Sequence, residues 1–310
     1  MRLAFFGSPD TALPSFRALL EAGHEVVLAV TQPDRPAGRG RRVAACPVKE
    51  FALKRGIPVV QPERIRKDPE VVDRLSRAKV DLQVVVAYGQ IIPNAVIDLP
   101  PLKTVNVHFS LLPKYRGASP VAWAILNGEM KTGISIFRLN ERMDEGDVYA
   151  AVETEILPGE TAGELEARLA DLGAGFLVET LARIAGLSPS PQDHRLASLA
   201  PKLHKENGRI DWSKNDEAVD RHVRAMTPWP SAFTFLHGER LIVTRGETGG
   251  SGDPALLRGT VLAAAKLGLE VACGGGTAYR ITRLKAEGRR EMEAAEYVRS
   301  GKIRPGERMG

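Results

Sequence analysis

"VDLQVVVAYG", Val80 to Gly89, decides the fold. Between Leu82 and Ala87 only Gln83 is polar. A strand with one wet face alternates apolar and polar residues, whereas a near-continuous apolar run fits a strand covered on both faces. Outward from it the pattern repeats. "KTVNVHF" (103–109) reads as the next strand, and residues 68–78 before it carry apolar positions at helical spacing. Further upstream come a short strand in "GIPVV" (56–60), a helix around Val48–Arg55 and a strand in "EVVLAVT" (25–31). Residues 11–22 are apolar at helical spacing and stop at Gly23, a plausible C-cap, and "RLAFFG" (2–7) precedes them as the first strand. Strands alternating with helices from Arg2 to Phe109 predict an open, mostly parallel, Rossmann-like α/β sheet.

The rhythm then changes. "TGISIFRL" (132–139) and "GDVYAAVETEI" (146–156) are strands with no helix between them, so they should be antiparallel. Residues 161–186 form a long amphipathic helix opened by a Thr161–Glu164 capping box. Residues 187–208 carry three prolines and no strong periodicity, which reads as a linker. Beyond them "SAFTFL", "RLIVTR", "GTVLAAA", "LGLEVACG" and "AYRITRLKAEG" are short strands spaced by turn residues, the pattern of a small OB-like β-barrel. The expected division is an α/β domain over 1–188, a linker over 189–208 and the barrel over 209–310.

The chain of 310 residues is 43% hydrophobic and 26% charged, an ordinary soluble composition for two domains. Apolar runs of about 18 residues are missing, so no membrane span is expected. "MRLAFFGSPD" breaks its apolar stretch at Pro9 and Asp10, unlike a signal peptide. The two cysteines, Cys46 and Cys273, are far apart, which argues against a disulfide framework or zinc site and for a reducing cytoplasm. Net charge is uneven. Residues 1–200 hold 24 Lys and Arg against 24 Asp and Glu, and residues 201–310 hold 19 against 14, so the whole excess of +5 lies in the last third. A basic end suggests a polyanionic partner, or simply a solvated basic surface.

Ligands of open α/β sheets bind beyond the carboxyl ends of the strands. The first end, "FGSPDTA", is not G-x-G-x-x-G, so no dinucleotide fingerprint is present. "AYGQIIP" (87–93) could line a flat pocket. The strand that holds Asn106 and His108 runs into "FSLLPKYRG" (109–117). Alternation puts Asn106 and His108 on one face, about 6–7 Å apart. Two such groups in a covered strand need partners, either each other and nearby backbone or a ligand. An amide donor beside an imidazole can stabilise a developing oxyanion and move a proton, which is acyl-transfer chemistry without a covalent nucleophile. A third group to orient the imidazole could come from Glu141, Asp144, Glu145 or Asp147, in the loop between the two later strands. Gly146 beside Asp144 suggests a tight turn there. The remaining histidines, His24, His194, His204, His222 and His237, have no such spacing, and no metal-ligand cluster is seen.

"NVHFSLLPKYRG" followed by "MDEGD" resembles the formyltetrahydrofolate-dependent formyltransferases. "FGSPDTALPSFRALLEAGHEVV", "TQPDRPAGRGRR", "VVVAYGQIIP", "RIDWS" and "PWPSAF" are similar, in order and spacing, to the branch that formylates tRNA. The match runs over roughly residues 1–245. The resemblance implies catalytic Asn106, His108 and Asp144. It implies a 10-formyltetrahydrofolate pocket at Ser110, Leu111, Leu112 and Pro113 and at Tyr88, Gly89 and Gln90. It also implies an Arg-rich loop over Asp34 to Arg42, whose Arg35, Arg39, Arg41 and Arg42 touch an acceptor stem. Two departures stand out: Phe109 where Gly or Ala is usual, and "NERMDEGD" in place of "Gly-Leu-Asp-Thr-Gly-Asp".

The expected reaction transfers formyl from 10-formyltetrahydrofolate to the α-amine of initiator methionyl-tRNA. Asn106 and His108 would donate to the oxyanion, Asp144 would orient His108, and no metal would be needed. Lys202, Lys205 and Arg209 near the domain junction are further candidates for phosphate contacts. A monomeric cytoplasmic enzyme is expected. The rival reading is a sugar-nucleotide N-formyltransferase with the same core, which would need neither the Arg-rich loop nor a basic barrel. A short glycinamide ribonucleotide formyltransferase would lack residues 209–310, and a non-catalytic RNA-binding protein would not need the intact Asn106–His108–Asp144 set.

Overall fold

A computed structural model describes residues 1–37, 42–251, 255–265 and 268–310. The chain divides into two compact units. The first holds residues 1–120, 131–155 and 166–201, and the second 121–130, 156–165 and 202–310.

In order along the chain, the elements up to the fifth parallel strand are β1 (Arg2–Gly7), α1 (Leu13–Glu21), β2 (Glu25–Val30), β3 (Arg35–Ala37), β4 (Arg42–Ala44), α2 (Pro47–Leu53), β5 (Val59–Val60), α3 (Pro69–Ala78), β6 (Leu82–Val86), α4 (Asn94–Ile97) and β7 (Thr104–His108). Then come α5 (Pro120–Leu126), β8 (Lys131–Arg138), β9 (Val148–Glu155) and α6 (Ala162–Leu181). The sheet order is β5-β2-β1-β6-β7-β8-β9. The first five strands run parallel. β8 and β9 are antiparallel additions, as the missing helix between them requires.

Every residue of β6 and β7 is buried, which explains their lack of alternation. Phe5 stacks on Phe16 of α1, which meets Phe51 of α2, on one face. The other face holds Ala4, Phe6, Val85 and Val30 against Val71, Leu75, Val96 and Ile97 of α3 and α4. Burial of each such side chain contributes roughly 1.5–3 kcal/mol. The chain winds from β1 outward to β5 and then returns to β6 on the other side of β1. The direction of winding thus reverses between β1 and β6, the kind of switch point at whose carboxyl end open α/β sheets hold ligands.

Two readings change. The segment after β2, expected as loop, carries the two-stranded ribbon β3–β4, paired from Arg35↔Ala44 to Ala37↔Arg42. The reason is local anchoring. Lys49 Nζ binds Asp34 Oδ2 at 2.5 Å and Gln61 Oε1 at 2.6 Å, and Gln61 Nε2 donates to Asp34 Oδ1 at 2.8 Å, closing the base of the ribbon. The Lys49 and Gln61 hydrogen bonds hold the Asp34 carboxyl below its ordinary value. The stretch 187–208, expected as a linker, also carries structure. Residues 187–201 of it belong to the first unit, where Ser190 bridges to Val148 and Leu199 to Arg116.

The second unit contains α7 (Asp216–Ala225), β10 (Ala232–Leu236), β11 (Glu239–Ser251), β12 (Val261–Ala265), β13 (Gly268–Ala272), β14 (Thr277–Ala286), β15 (Met292–Glu293) and α8 (Ala294–Arg299). Its strands form an antiparallel sheet in the order β10-β11-β14-β13-β12, with β15 on β14. The C-terminal tail bonds both edges. Gly310 N donates to Phe235 O of β10, while Met309 N donates to Gly259 O just before β12 and Val261 N, at the start of β12, to Glu307 O. Both edges therefore lean on the same tail at one end, which shortens the unpaired rim of the sheet. Among the described residues no helix is long and apolar enough to cross a membrane.

Candidate active site

β7 delivers Asn106 and His108 to the carboxyl end of the first sheet, 9% and 6% exposed. They do not satisfy each other. His108 Nε2 lies 2.9 Å from the carbonyl oxygen of Tyr115. A carbonyl only accepts, so Nε2 carries the hydrogen, and Nδ1 is left as the ring atom that can take or give a proton. Nδ1 faces Asp144 Oδ2 at 3.8 Å, an ion-pair contact for the protonated ring and too long for a hydrogen bond. Among the described residues the Asn106 amide makes no hydrogen bond, so its donors remain available.

Asp144 is not held by His108 alone. Its Oδ2 accepts the Gly117 N–H at 2.8 Å. Its own backbone sits at φ +53°, where an L residue is strained. Gly146 answers the turn that the sequence suggested, because a Cβ there would collide with the Arg138 carbonyl oxygen. No other residue fits without moving that loop away from β8.

The turn after β7 is tied down from β8. Ser135, directly opposite His108, donates its hydroxyl to Ser110 O at 2.7 Å and accepts Leu112 N at 3.0 Å. Ser110 Oγ in turn donates to Lys114 O at 2.7 Å. Leu111, Leu112 and Pro113 are partly exposed along this turn, beside the two candidate catalytic residues. Phe109 is buried, 8% exposed. Phe137 of β8 meets the His108 ring edge-on, with centroids 6.4 Å apart.

The β6 end differs from expectation in one respect. Tyr88 does not turn its ring toward the strand end. It is 2% exposed and packs edge-on against Phe6 in the core. What Tyr88 offers the crevice is backbone, and its carbonyl accepts Gln32 Nε2 at 2.9 Å. Burial pushes its phenol well above the ordinary value. Gln90 accepts Ile65 N at 2.9 Å and donates to Pro62 O at 3.1 Å, so it pins the segment after β5. Gly89, at φ +82°, makes the turn between them.

Of the basic candidates, Arg35 is exposed at the start of β3, and Arg42 opens β4. Arg39 and Arg41 lie outside the described residues. Lys202, Lys205 and Arg209 are exposed on the second unit, where the Arg209 guanidinium stands 5.9 Å from the Phe235 ring centroid. Among the described residues no group of three His, Cys, Asp or Glu side chains could hold a metal.

Ser135 and Gln192 join the site without being candidates from the sequence. Gln192 Nε2 donates to Asp144 O at 2.9 Å and Gly146 O at 2.7 Å, from the stretch expected as linker. Nothing in the local sequence around either residue signals such a role.

Comparison with known proteins follows the same lines. The family described as "Formyl transferase" matches residues 1–181, and "Formyl transferase, C-terminal domain" matches residues 202–302. The methionyl-tRNA formyltransferase of Solibacter usitatus is 46% identical over 312 residues, covering 100% of this chain and 99% of the relative. That of Geotalea uraniireducens is 44% identical over 313 residues, covering 100% and 98%. Among solved structures, WlaRD, a sugar 3N-formyl transferase crystallised with dTDP and 5-N-formyl-THF, superposes with a TM-score of 0.66 at 16% identity, over 94% of this chain and 99% of that one. HypX from Aquifex aeolicus in complex with tetrahydrofolic acid gives a TM-score of 0.62 at 19% identity, over 96% of this chain and 47% of that one. At these identities the structural likeness shows the fold. The sequence likeness reaches further, along both units and from end to end: the chain belongs to the methionyl-tRNA formyltransferase family of formyl transferases.

Proposed function

We propose that the enzyme transfers the formyl group of 10-formyltetrahydrofolate to the α-amine of initiator methionyl-tRNA, with Asn106, His108 and Asp144 as its catalytic set. The acceptor rests on identity along the whole chain to methionyl-tRNA formyltransferases. The site rests on one observation: an amide with no hydrogen-bond partner among the described residues stands two residues from an imidazole whose Nδ1 faces a carboxylate.

Formyltetrahydrofolate supplies an activated one-carbon acyl group. The amine nitrogen bonds to the formyl carbon and the bond from that carbon to N10 breaks. The amine gives up one proton and N10 takes one. Asn106 donates its amide to the formyl oxygen as negative charge gathers there. His108 Nδ1 moves the proton, because Nε2 is committed to Tyr115 O. Asp144 stabilises the imidazolium that forms and keeps the ring aligned. The Ser110–Pro113 turn and the backbone of residues 88–90 would line the folate side, on the division 1–188 for catalysis and 209–310 for tRNA binding. Two free thiols, Cys46 and Cys273, fit a cytoplasmic enzyme, which we take to act as a monomer.

Charged initiator tRNA, an amino-sugar nucleotide and glycinamide ribonucleotide, offered in parallel with 10-formyltetrahydrofolate, decide the acceptor. Formylation of the sugar nucleotide in preference to the tRNA would overturn the reading. The basic surface has its own test. Lys202, Lys205 and Arg209, with Arg35, Arg39, Arg41 and Arg42, are taken to bind tRNA phosphates. Replacing Lys202, Lys205 and Arg209 together by Ala should raise the KM for tRNA and leave that for folate unchanged. Every phosphate that loses its cationic partner should flatten the slope of log binding constant against log salt by roughly 0.7–0.9. An unchanged slope would remove these three from the interface.

A further inference from the structure

We propose that Gln192 is a positioning residue for catalysis, closing a ring of hydrogen bonds that fixes the Asp144 carboxylate opposite His108. The proposal rests on the reading of Asn106, His108 and Asp144 given above.

The ring can be followed atom by atom. Gln192 Nε2 donates to Asp144 O at 2.9 Å and Gly146 O at 2.7 Å. Gln192 Oε1 accepts from Arg116 Nε at 3.1 Å and Nη2 at 2.7 Å. The residue after Arg116 is Gly117, whose N–H binds Asp144 Oδ2 at 2.8 Å. The loop is thus grasped at its main chain by Gln192 and at its carboxylate by Gly117, and the two grips are joined through Arg116. Gln192 and Arg116 are 8% and 5% exposed, so these bonds do not compete freely with water.

Each member suits its place chemically. Only an amide offers two donors to the carbonyls and an acceptor to the guanidinium from one side chain. The buried Arg116 charge is balanced by Glu145 at 3.7 Å, and its Nη2 also meets His194 Nδ1 at 3.2 Å. Asp144 needs such support, since its backbone at φ +53° persists only where the surroundings hold it. The same stretch steadies the other partner of His108. Ser198 Oγ accepts Tyr115 N at 2.9 Å, and Ser198 O accepts Arg116 N at 2.8 Å. Tyr115 O is the group that fixes Nε2. Residues 190–200 therefore brace both sides of the His108–Asp144 pair.

The test uses the full-length enzyme with formyltetrahydrofolate and charged initiator tRNA. Gln192→Glu keeps an acceptor for Arg116 and removes the donors to Asp144 O and Gly146 O. It should lower kcat by about 10–100-fold, the scale of a slight misplacement of a catalytic group, with both KM values within about twofold. Gln192→Met, of similar volume, should do the same. In an Asp144→Ala background neither substitution should cost anything more, because there is no carboxylate left to position. An equal loss in both backgrounds, a change confined to KM, or a full kcat would overturn the proposal. So would loss of the fold in both variants, which would make Gln192 a purely structural residue. If Asp144→Ala alone kept full activity, the catalytic set itself would fail, an outcome distinct from these.

Discussion

His108→Ala is expected to lower kcat by roughly 10²–10⁴-fold, the contribution of a positioned acid–base group, while the protein stays folded. The fold should survive because β7 owes its place to Val105 and Val107 and to its neighbours β6 and β8, not to the imidazole. Removing the ring takes away the hydrogen bond that His108 Nε2 makes to the Tyr115 carbonyl at 2.9 Å, a loss of about 0.5–1.5 kcal/mol. That would lower the melting temperature without abolishing the fold. Asn106→Ala should cost about 10²–10³-fold in kcat as a lost oxyanion donor. It should cost less stability than His108→Ala, since its amide has no hydrogen bond to lose among the described residues. Single-turnover formylation with saturating tRNA isolates the chemical step. Near wild-type turnover by folded His108→Ala would end the proton-transfer role.

The parts of this site differ in how far the sequence exposes them. β6 and β7 are legible because burial on both faces leaves a run of apolar residues that nothing else explains. Asn106 and His108 stand out for the same reason, as polar residues in a strand with no wet face. Asp144 is one acid among four in its loop until the family pattern selects it, and its selection has a physical basis that is non-local: Gly117 holds the carboxylate from 27 residues away. Gln192 illustrates the limit. "SPSPQDHRLAS" has turn composition and no period, yet its glutamine reaches the loop at residues 144–146. α7 escapes notice for another reason. Its surface is so polar that the buried Val219 and Val223, one turn apart, make a faint stripe, although the Asn215 cap, first-turn acids and last-turn basic residues are all in place. The β3–β4 ribbon is hidden by its Pro, Gly and Arg content, because the Asp34–Lys49–Gln61 anchor that closes it is spread across three segments of the chain.

Asp144→Asn is expected to leave folate binding almost intact and to suppress turnover by roughly 10²-fold or more. The substitution preserves shape. An amide oxygen can still accept the Gly117 N–H, now at 2.8 Å from the carboxylate, and the main-chain bonds from Gln192 do not involve the side chain at all. The loop should therefore keep its place, and the melting temperature should change little. What disappears is the negative charge 3.8 Å from His108 Nδ1. That charge acts most strongly on the protonated ring, so its loss raises the barrier more than it disturbs the ground state. Asp144→Ala removes the Gly117 anchor as well, and should cost stability in addition to turnover. The comparison separates the two duties of one carboxylate. Folate affinity by fluorescence quenching, kcat at saturating tRNA and thermal melting can all be measured on both variants. If Asp144→Asn lost folate affinity while the bound complex turned over normally, Asp144 would belong to the pocket and not to the chemistry. If Asn and Ala variants lost turnover equally and melted alike, the Gly117 bond would carry no weight in holding the loop.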